Sequence, residues 1–367
     1  MPVVALLGAR QVGKTTLARA LAERAKTPVE FFDLEHTGDI ARLSDPMLAL
    51  EPLKGLVVLD EVQLRPALFP TLRVLADRRP LPARFLVLGS ASPDLLRQSS
   101  QSLAGRVLFH ELSGFNVSEV PAAQWLALWR RGGFPPAFTA RTEPQSVRWR
   151  NALVRTFLER DLPQLGIGVP APTMQRFWTM LAHVHGQTLN CSQLGSSLGV
   201  SDHTIRRYLD SLVQTFMVRT LRPFHANLGK REVKAPKTYV RDSGLLHSLL
   251  CIDSDKSLMS SPYAGASFEG FVIEQLIGHL SLDERECFFW STHQGAELDF
   301  LAMRDGKRYG FEVKLSTAPT MTKSMHIALR DLRLDRLDVI HAGPRTFPLA
   351  PKVRAVSIAR LTKDIAI

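Results

Sequence analysis

The sequence predicts an α/β protein with more than one domain, and three stretches carry that prediction. An apolar run at 3–7 leads into a glycine-containing loop and then a helical pattern. Residues 190–215 read as two short helices joined by a turn, and residues 297–315 read as two strands joined by a tight turn. A chain of 367 residues has room for two or three such domains, each with its own core.

Composition narrows the class of protein. The 45% hydrophobic and 22% charged residues are ordinary for a globular chain, but the formal net charge is +11. This excess favours polyanionic partners, nucleic acid before anionic membranes, with solubility alone as the alternative. Three distant cysteines show neither metal nor disulfide spacing, which predicts a cytoplasmic protein. We expect no membrane span and no signal peptide, because the apolar runs are short and the first residues lack a basic segment.

The first motif that carries chemistry is the loop GARQVGKT at 8–15. A strand precedes it and a helix follows it, which is the context of a phosphate-binding P-loop. Backbone N–H groups of the loop and the helix N-terminus would hold the phosphates of ATP. We expect Lys14 to reach the β- and γ-phosphates and Thr15 to bind Mg²⁺. The predicted nucleotide-binding residues are Gly8, Ala9, Arg10, Gln11, Val12, Gly13, Lys14, Thr15 and Thr16.

A second strand, 56–59, ends in two acids. Asp60 is predicted to hold Mg²⁺ with Thr15, and Glu61 is predicted to polarise the attacking water. The alternative for Glu61 is a solvated loop residue.

Two further polar positions follow in the same part of the chain. Ser90 or Ser92, at the end of a strand at 84–92, would sense the γ-phosphate, although serine is also common in turns. Arg106 precedes another apolar strand and is a candidate arginine finger, for its own chain or for a neighbouring subunit of a homo-oligomer. A surface salt bridge is the alternative for Arg106.

The middle of the chain predicts a winged helix-turn-helix. Leu194 and Leu198 share one face of the first helix, Gly199 lies in the turn, and Ser201 caps the second helix. Stretches 216–224 and 236–242 are expected to form the wing. The basic side chains of the intervening loop are Lys230, Arg231 and Lys234.

The second of these helices is predicted to contact nucleic acid, with DNA expected. Its first turns present His203, Thr204, Arg206 and Arg207 outward, where a recognition helix meets the groove or backbone. The alternative is a protein-contact module, because a fold does not fix a function.

The last third predicts a nuclease-like metal site. Strands at 297–303 and 309–315 meet at an Asp305-Gly306 turn, which brings Asp299 beside Glu312. A helix at 268–280 supplies Glu269, or less favourably Glu274. Such an order of acids, closed by Lys314, is that of PD-(D/E)XK nucleases, in which the strand acids bind divalent metal and the lysine acts on water. Binding without cleavage is the alternative.

The triplet alone is weak evidence, because acid-x-lysine also occurs at 232–234 and 305–307.

In the order of its motifs the chain resembles a prokaryotic family of AAA-like ATPases that carry a C-terminal domain of unknown function. The resemblance implies a P-loop NTPase core with a parallel sheet and helices on both faces, a small helical lid, a winged helix and a restriction-endonuclease-like α/β domain. These are expected at 1–120, 121–170, 171–242 and 243–367. The matching stretches are 8–18, 31–46, 56–63, 88–92, 102–107, 132–138, 157–162, 234–246, 268–276, 297–300 and 311–314.

Together these observations predict a cytoplasmic, Mg²⁺-dependent ATPase that couples its nucleotide state to a nucleic-acid-binding C-terminal half. Two alternatives stay open. One is an ATP-gated, metal-dependent nuclease, and the other is a nucleotide-dependent switch whose winged helix binds protein.

Overall fold

The computed structural model describes residues 1–90, 103–225 and 235–367, which form two compact units. The first unit comprises Met1–Gly114 with Gln214–Phe216, and the second comprises Phe115–Val213 with Met217–Ile367. Ser92, the basic loop residues Lys230, Arg231 and Lys234, and the triplet at 232–234 lie outside the described residues.

The first unit is built on a five-stranded, wholly parallel sheet in the order β2-β3-β4-β1-β5. The α/β core with a parallel sheet predicted from the sequence is therefore confirmed. The strands are β1 (Val3–Leu7), β2 (Val29–Asp33), β3 (Gly55–Asp60), β4 (Ala83–Gly89) and β5 (Val107–Glu111). The helices are α1 (Lys14–Arg24), α2 (Thr37–Arg42), α3 (Pro46–Leu50) and α4 (Leu68–Ala76), with a 3₁₀ turn at Val62–Leu64.

Alternation along the strands gives this sheet an apolar core on each face. Val3 and Ala5 of β1 join a cluster that includes Phe69 of α4, whereas Leu6 joins a second cluster with Ala18 of α1. Because all five strands run in one direction, their carboxyl ends meet at the same edge. The loop after β1 and the acids after β3 therefore share that edge.

The second unit combines helices with an eight-stranded mixed sheet in the order β12-β13-β11-β10-β9-β8-β6-β7. The strands are β6 (Val218–Pro223), β7 (Lys237–Val240), β8 (Cys287–Ser291), β9 (Glu297–Arg304), β10 (Lys307–Lys314), β11 (Arg336–His341), β12 (Phe347–Ala350) and β13 (Val353–Ser357).

The helices of this unit precede and flank the sheet. They are α5 (Trp125–Arg131), α6 (Pro135–Phe138), α7 (Glu143–Thr156), α8 (Leu162–Gln164), α9 (Ala171–His183), α10 (Cys191–Leu198), α11 (Asp202–Gln214), α12 (Ser243–Leu249), α13 (Asp255–Ser260), α14 (Ala264–Leu280), α15 (Lys323–Asp331) and α16 (Leu361–Asp364). A π-helical segment at Phe157–Asp161 links α7 to α8, and 3₁₀ turns lie at Ala122–Gln124, Glu284–Glu286 and Ile358–Arg360. Across the described ranges, none of these helices is long and apolar enough to cross a membrane.

Several local predictions in this unit are confirmed. Gly199 ends α10 in the left-handed region at φ 70°, and the Thr204 N–H donates to the Ser201 hydroxyl at 3.2 Å. Asp305 and Gly306 form the turn between β9 and β10, with φ values of 52° and 76°. Positive φ at both positions is the pattern of a type I′ hairpin turn.

The predicted wing differs from a free hairpin. β6 pairs with β7 antiparallel, and it also pairs with β8 through Arg222 opposite Phe288. The hairpin is thus part of the eight-stranded sheet, which crosses the domain boundary expected at 242.

Two motifs of the family resemblance, at 132–138 and 234–246, meet in a buried joint. The Asp242 carboxylate accepts hydrogen bonds from the Gly133 N–H at 2.7 Å and the Leu245 N–H at 2.8 Å. Gly132 has φ 80°, and a Cβ there would lie 2.1 Å from Asp242 Oδ1. Buried Arg150 donates to the Gly244 carbonyl at 2.8 Å. These motifs therefore serve the packing of α5, α7 and α12.

Candidate nucleotide site and acid cluster

The loop between β1 and α1 has a backbone that requires glycine at two positions. Gly13 precedes α1 with φ 108°, a conformation that residues with a Cβ rarely adopt. A Cβ at Gly8 would lie 2.3 Å from the Leu112 carbonyl oxygen. Gly8 is thus required by the close approach of Leu112 and Gly13 by its left-handed backbone, in a loop between strand and helix that fits a phosphate cradle.

Lys14 lies inside this curve. Its side chain is buried, and Nζ donates to the carbonyl oxygens of Gly8 and Ala9, both at 2.9 Å. Ser90, which follows β4, places its Oγ 3.4 Å from Lys14 Nζ. The fold therefore brings together the predicted lysine at the start of α1 and the predicted serine after β4, which are distant in sequence.

Thr15 and Asp60 are in direct contact. The Thr15 hydroxyl donates to Asp60 Oδ2 at 2.7 Å, and the Glu61 N–H donates to Asp60 Oδ1 at 2.9 Å. Burial raises the pKa of Asp60, while these two hydrogen bonds act in the opposite direction. A hydroxyl and a carboxylate oxygen beside a phosphate cradle are donors that Mg²⁺ prefers, so the residues fit a Mg²⁺–nucleotide.

Other polar groups border this site. Glu61 begins a 3₁₀ turn at φ 53°, and the Gln63 side-chain amide donates to its carboxylate. Asp33 at the end of β2 is in register with Asp60, and Glu35 accepts from Arg10 at 2.8 Å. Sequence reasoning missed Asp33, although it follows an apolar strand just as Asp60 does.

Arg106 lies at the opposite edge of the sheet. Val107 at the start of β5 is in register with Val3, whereas the phosphate loop follows Leu7, about 13 Å further along the strand. The Arg106 guanidinium donates to Asp77 Oδ2 at 2.8 Å. The prediction that Arg106 is an arginine finger for its own chain is therefore wrong. Arg106 precedes a parallel strand and so lies at the amino edge of the sheet, whereas the phosphate loop lies at the carboxyl edge. A role towards a neighbouring subunit stays a prediction.

On α11, three of the four residues predicted to contact nucleic acid are exposed. His203, Arg206 and Arg207 project from the first turns of α11. Thr204 is half-buried instead, and its Oγ1 lies 3.0 Å from Ser201 Oγ. The Thr204 hydroxyl thus takes part in the helix cap, and its contact with nucleic acid stays a prediction.

The three predicted nuclease acids do come together in the second unit. Asp299 on β9, Glu312 on β10 and Glu269 on α14 form what we call the acid cluster. The Val313 N–H donates to Asp299 Oδ2 at 2.8 Å, and Lys314 Nζ donates to Glu312 Oε1 at 2.7 Å. Burial and then the Asp299 charge raise the pKa of both Glu269 and Glu312 to about 7.

Two residues of β7 that sequence reasoning had left without a role complete this cluster. Tyr239 donates its hydroxyl to Glu269 Oε1 at 2.7 Å, and Lys237 Nζ lies 3.3 Å from the same oxygen. The sequence signal for both residues is their spacing within 236–242, because residues two apart in a strand lie on the same face. Glu274, the other helix acid, pairs with Arg219 and Arg241 and does not join the cluster.

The divalent metal that the nuclease-like order implies does not fit this arrangement. No group of three or more His, Cys, Asp or Glu in the described parts of the chain could hold a metal ion. The oxygens of the cluster instead face two ammonium groups, a phenol and a backbone N–H.

Comparisons with solved structures give weak similarity. A Holliday junction branch migration motor, RuvB of Thermotoga maritima, is 19% identical with a TM-score of 0.28, over 60% of this chain and 82% of that chain. A DNA clamp loader delta protein of Bacillus subtilis is 12% identical with a TM-score of 0.29, over 58% and 84%. Similarity at this level supports no conclusion about fold or function.

Sequence comparisons are more informative. Residues 1–121 match the model of a family described as AAA domain, and 122–256 and 264–361 match two families described as domains of unknown function, DUF8612 and DUF4143. Uncharacterized proteins of Mycobacterium bovis and Mycobacterium tuberculosis are each 52% identical to the chain over 355 residues, 97% of this chain and 80% of the relative. With that identity and coverage, the chain belongs to the same family as these two mycobacterial proteins, and its residues 1–121 match an AAA domain.

Proposed function

We propose that the protein binds ATP with Mg²⁺ and hydrolyses it, and that its nucleotide state controls nucleic-acid binding by the second unit. The observation that carries the ATPase proposal is the 2.7 Å hydrogen bond from Thr15 to Asp60, beside the buried Lys14. When bound, Mg²⁺ would withdraw charge from the phosphates. Thr15 and Asp60 are the residues that would hold it.

Each residue of the site has a distinct task in this proposal. The N–H groups of the loop and the start of α1 bind the phosphates, and the Lys14 ammonium exchanges its carbonyl partners for phosphate oxygens. Glu61 orients the attacking water and accepts its proton, and the Gln63 amide holds the Glu61 carboxylate in place. Ser90 senses whether the γ-phosphate is present through its contact with Lys14.

The test is ATP binding, measured by titration with a fluorescent ATP analogue in the presence of Mg²⁺. Lys14→Ala and Thr15→Ala should each weaken binding, because they remove the phosphate cation and the metal-binding hydroxyl. Lys26→Ala, an exposed lysine beyond the far end of α1, is the matched control and should bind as wild type does. Unchanged affinity in both loop variants would refute the site assignment.

For the second unit, the exposed cations of α11 support a nucleic-acid partner, with duplex DNA as the first candidate. Arg206 and Arg207 project from the start of the helix, and phosphate contacts of this kind give binding that weakens with salt. A winged helix that binds protein instead would show no DNA affinity even at low salt. The test is a gel shift with duplex DNA, with and without ATP.

A further inference from the structure

The acid cluster contains a buried cation of its own. The Lys237 side chain is 5% exposed, and its Nζ lies 3.3 Å from Glu269 Oε1 and forms an ion pair with Glu297. The same ammonium lies 5.5 Å from the centre of the Phe289 ring. A lysine this deep is tolerated only where carboxylates compensate it. The fold therefore supplies Lys237 with counter-charges, and supplies the acids with a cation.

We infer that the Lys237 ammonium is the resident counter-charge of the acid cluster and takes the electrostatic place of a divalent metal, so that the wild-type cluster does not bind Mg²⁺ or Mn²⁺. This inference goes beyond the ATPase proposal and stands or falls independently of it. It also answers the choice left open by the sequence, because a cluster filled by lysine is a nuclease-like frame without its metal.

Each acid of the cluster gives one carboxylate oxygen to a donor of the fold, and two of these donors are ammonium groups. Glu269 Oε1 accepts from both Tyr239 and Lys237, and Asp299 Oδ2 accepts from a backbone N–H. Glu312 Oε1 accepts from Lys314, while Glu312 Oε2 is buried with no partner among the residues described. Mg²⁺ needs about six oxygen ligands, and a dication here would face two ammonium groups at close range.

Lys237 is held where it is by its strand. In the β6–β7 pair, Lys237 lies opposite Leu221 and Tyr239 opposite Arg219, and Lys237 also bridges to Thr188. The fully buried Tyr239 ring lies edge-on to His185, 5.2 Å away. Withdrawal of the lysine would require β7 to shift, so Lys237 is a fixed part of the cluster.

Gly270 on α14 makes the close approach of this strand possible. A Cβ at Gly270 would lie 2.3 Å from His185 Nε2 and 3.1 Å from the Tyr239 ring. The helix that supplies Glu269 is thus shaped to receive β7.

The experiment is Mn²⁺ binding to the full chain, measured by electron paramagnetic resonance without nucleotide. An Asp60→Asn background removes the carboxylate of the nucleotide site from every sample. We expect no Mn²⁺ at the cluster in this background. Adding Lys237→Met should create measurable Mn²⁺ binding at the cluster, with an affinity roughly 10- to 1,000-fold above any residual affinity of the background, because one positive charge close to the site is lost. Adding Glu312→Gln should then abolish it.

Lys307→Met is the matched control, because it removes an exposed lysine at the start of β10 and should create no site. Mn²⁺ binding by the background protein that Glu312→Gln abolishes would overturn the inference. A folded Lys237→Met variant that gains no Mn²⁺ would overturn it as well. If Lys237→Met is too unstable to assay without metal, Mn²⁺ or the added substitution Glu269→Gln should restore its folding and raise its melting temperature. Failure of both rescues would refute the charge-balance argument.

Discussion

Buried acids in the two compact units have different kinds of partner. Asp60 in the first unit accepts hydrogen bonds from neutral donors, namely the Thr15 hydroxyl and a backbone N–H. Glu312 in the second unit is bonded to the ammonium of Lys314. Neutral donors hold a carboxylate in place without cancelling its charge, whereas an ammonium group does both. From this comparison we propose that the partners of an acid, more than its burial, determine whether it can take up a metal ion.

The largest expected effect separates the two units by their chemistry. Glu61→Gln should lower ATP turnover by about 10²- to 10⁴-fold with little change in ATP binding, because an amide cannot accept the proton of the attacking water. Glu312→Gln removes a more deeply buried carboxylate and should leave turnover unchanged. Steady-state phosphate release, with ATP affinity measured in parallel, checks both variants.

Glu23→Gln, an exposed acid on α1, is the control for this pair. Turnover that survives in Glu61→Gln would remove that residue from the mechanism. Turnover lost in Glu312→Gln would show that the second unit takes part in hydrolysis.

The same comparison can be made between two acids of one helix. Burial opposes the charge of Glu274, yet Arg219 and Arg241 lower its pKa, whereas burial and Asp299 raise the pKa of Glu269 to about 7. Glu274→Gln should therefore cost about 3 kcal/mol of unfolding free energy at neutral pH, because two arginines lose their counter-charge.

Glu269→Gln should cost less, about 1 kcal/mol, because it removes repulsion from Asp299 while Asp299 and Glu297 still compensate the Lys237 ammonium. Denaturant unfolding at pH 7 distinguishes the two variants. The loss in Glu274→Gln should shrink as the pH falls below 4.5, since a lowered pKa stabilises the fold only while the acid is ionised. Equal losses for both variants would contradict the different roles given to these acids.

Sequence reasoning was strongest where the chemistry is local. Lys14 and Thr15 are adjacent at the start of α1, and Asp60 ends an apolar strand, so their types and spacing predict the contacts that the fold makes. The prediction of Arg106 as an arginine finger for its own chain failed for a reason visible in the sequence. Arg106 precedes its strand, and parallel strands place such residues at the amino edge of the sheet. Lys237 could not be placed, because its contact with Glu269 depends on the pairing of β6 with β8.

A third kind of buried group, the neutral histidine, gives a smaller effect that depends on pH. His247 has Nε2 2.7 Å from Ser267 Oγ and Nδ1 2.9 Å from the Arg130 carbonyl. Burial lowers the pKa of His247 from 6.5 to about 4. Between these two pH values the histidine binds a proton in the unfolded chain but not in the folded chain. Stability from this group is therefore complete above pH 6.5 and is lost as the pH falls towards 4.

Replacing this histidine removes its share of the pH dependence. Between pH 6.5 and 5, wild type should lose about 2 kcal/mol relative to His247→Asn. Thermal or denaturant unfolding at a series of pH values gives the difference in slope, in which contributions of the unchanged acids cancel. Parallel pH profiles for the two proteins would mean that folding does not lower the pKa of His247.

The smallest expected effect concerns α11, where charge acts without burial. Arg207→Ala should weaken duplex DNA binding by roughly 3- to 10-fold at low salt and reduce the slope of log K against log salt by about 1, because one phosphate contact is lost. Fluorescence anisotropy with labelled duplex between about 50 and 200 mM salt measures both quantities. Arg155→Ala on α7 removes an arginine whose side chain is 79% exposed and is the matched control.

Equal losses in the two arginine variants would mean that the protein attracts DNA through its net charge of +11 and not through α11. A loss confined to Arg207→Ala would locate the contact on the helix. The exposed arginine and the buried Lys237 would then mark two uses of cations in one unit. Lys237 forms ion pairs with neighbouring acids within the fold, whereas Arg207, on an exposed helix turn, is available to bind a phosphate of a partner.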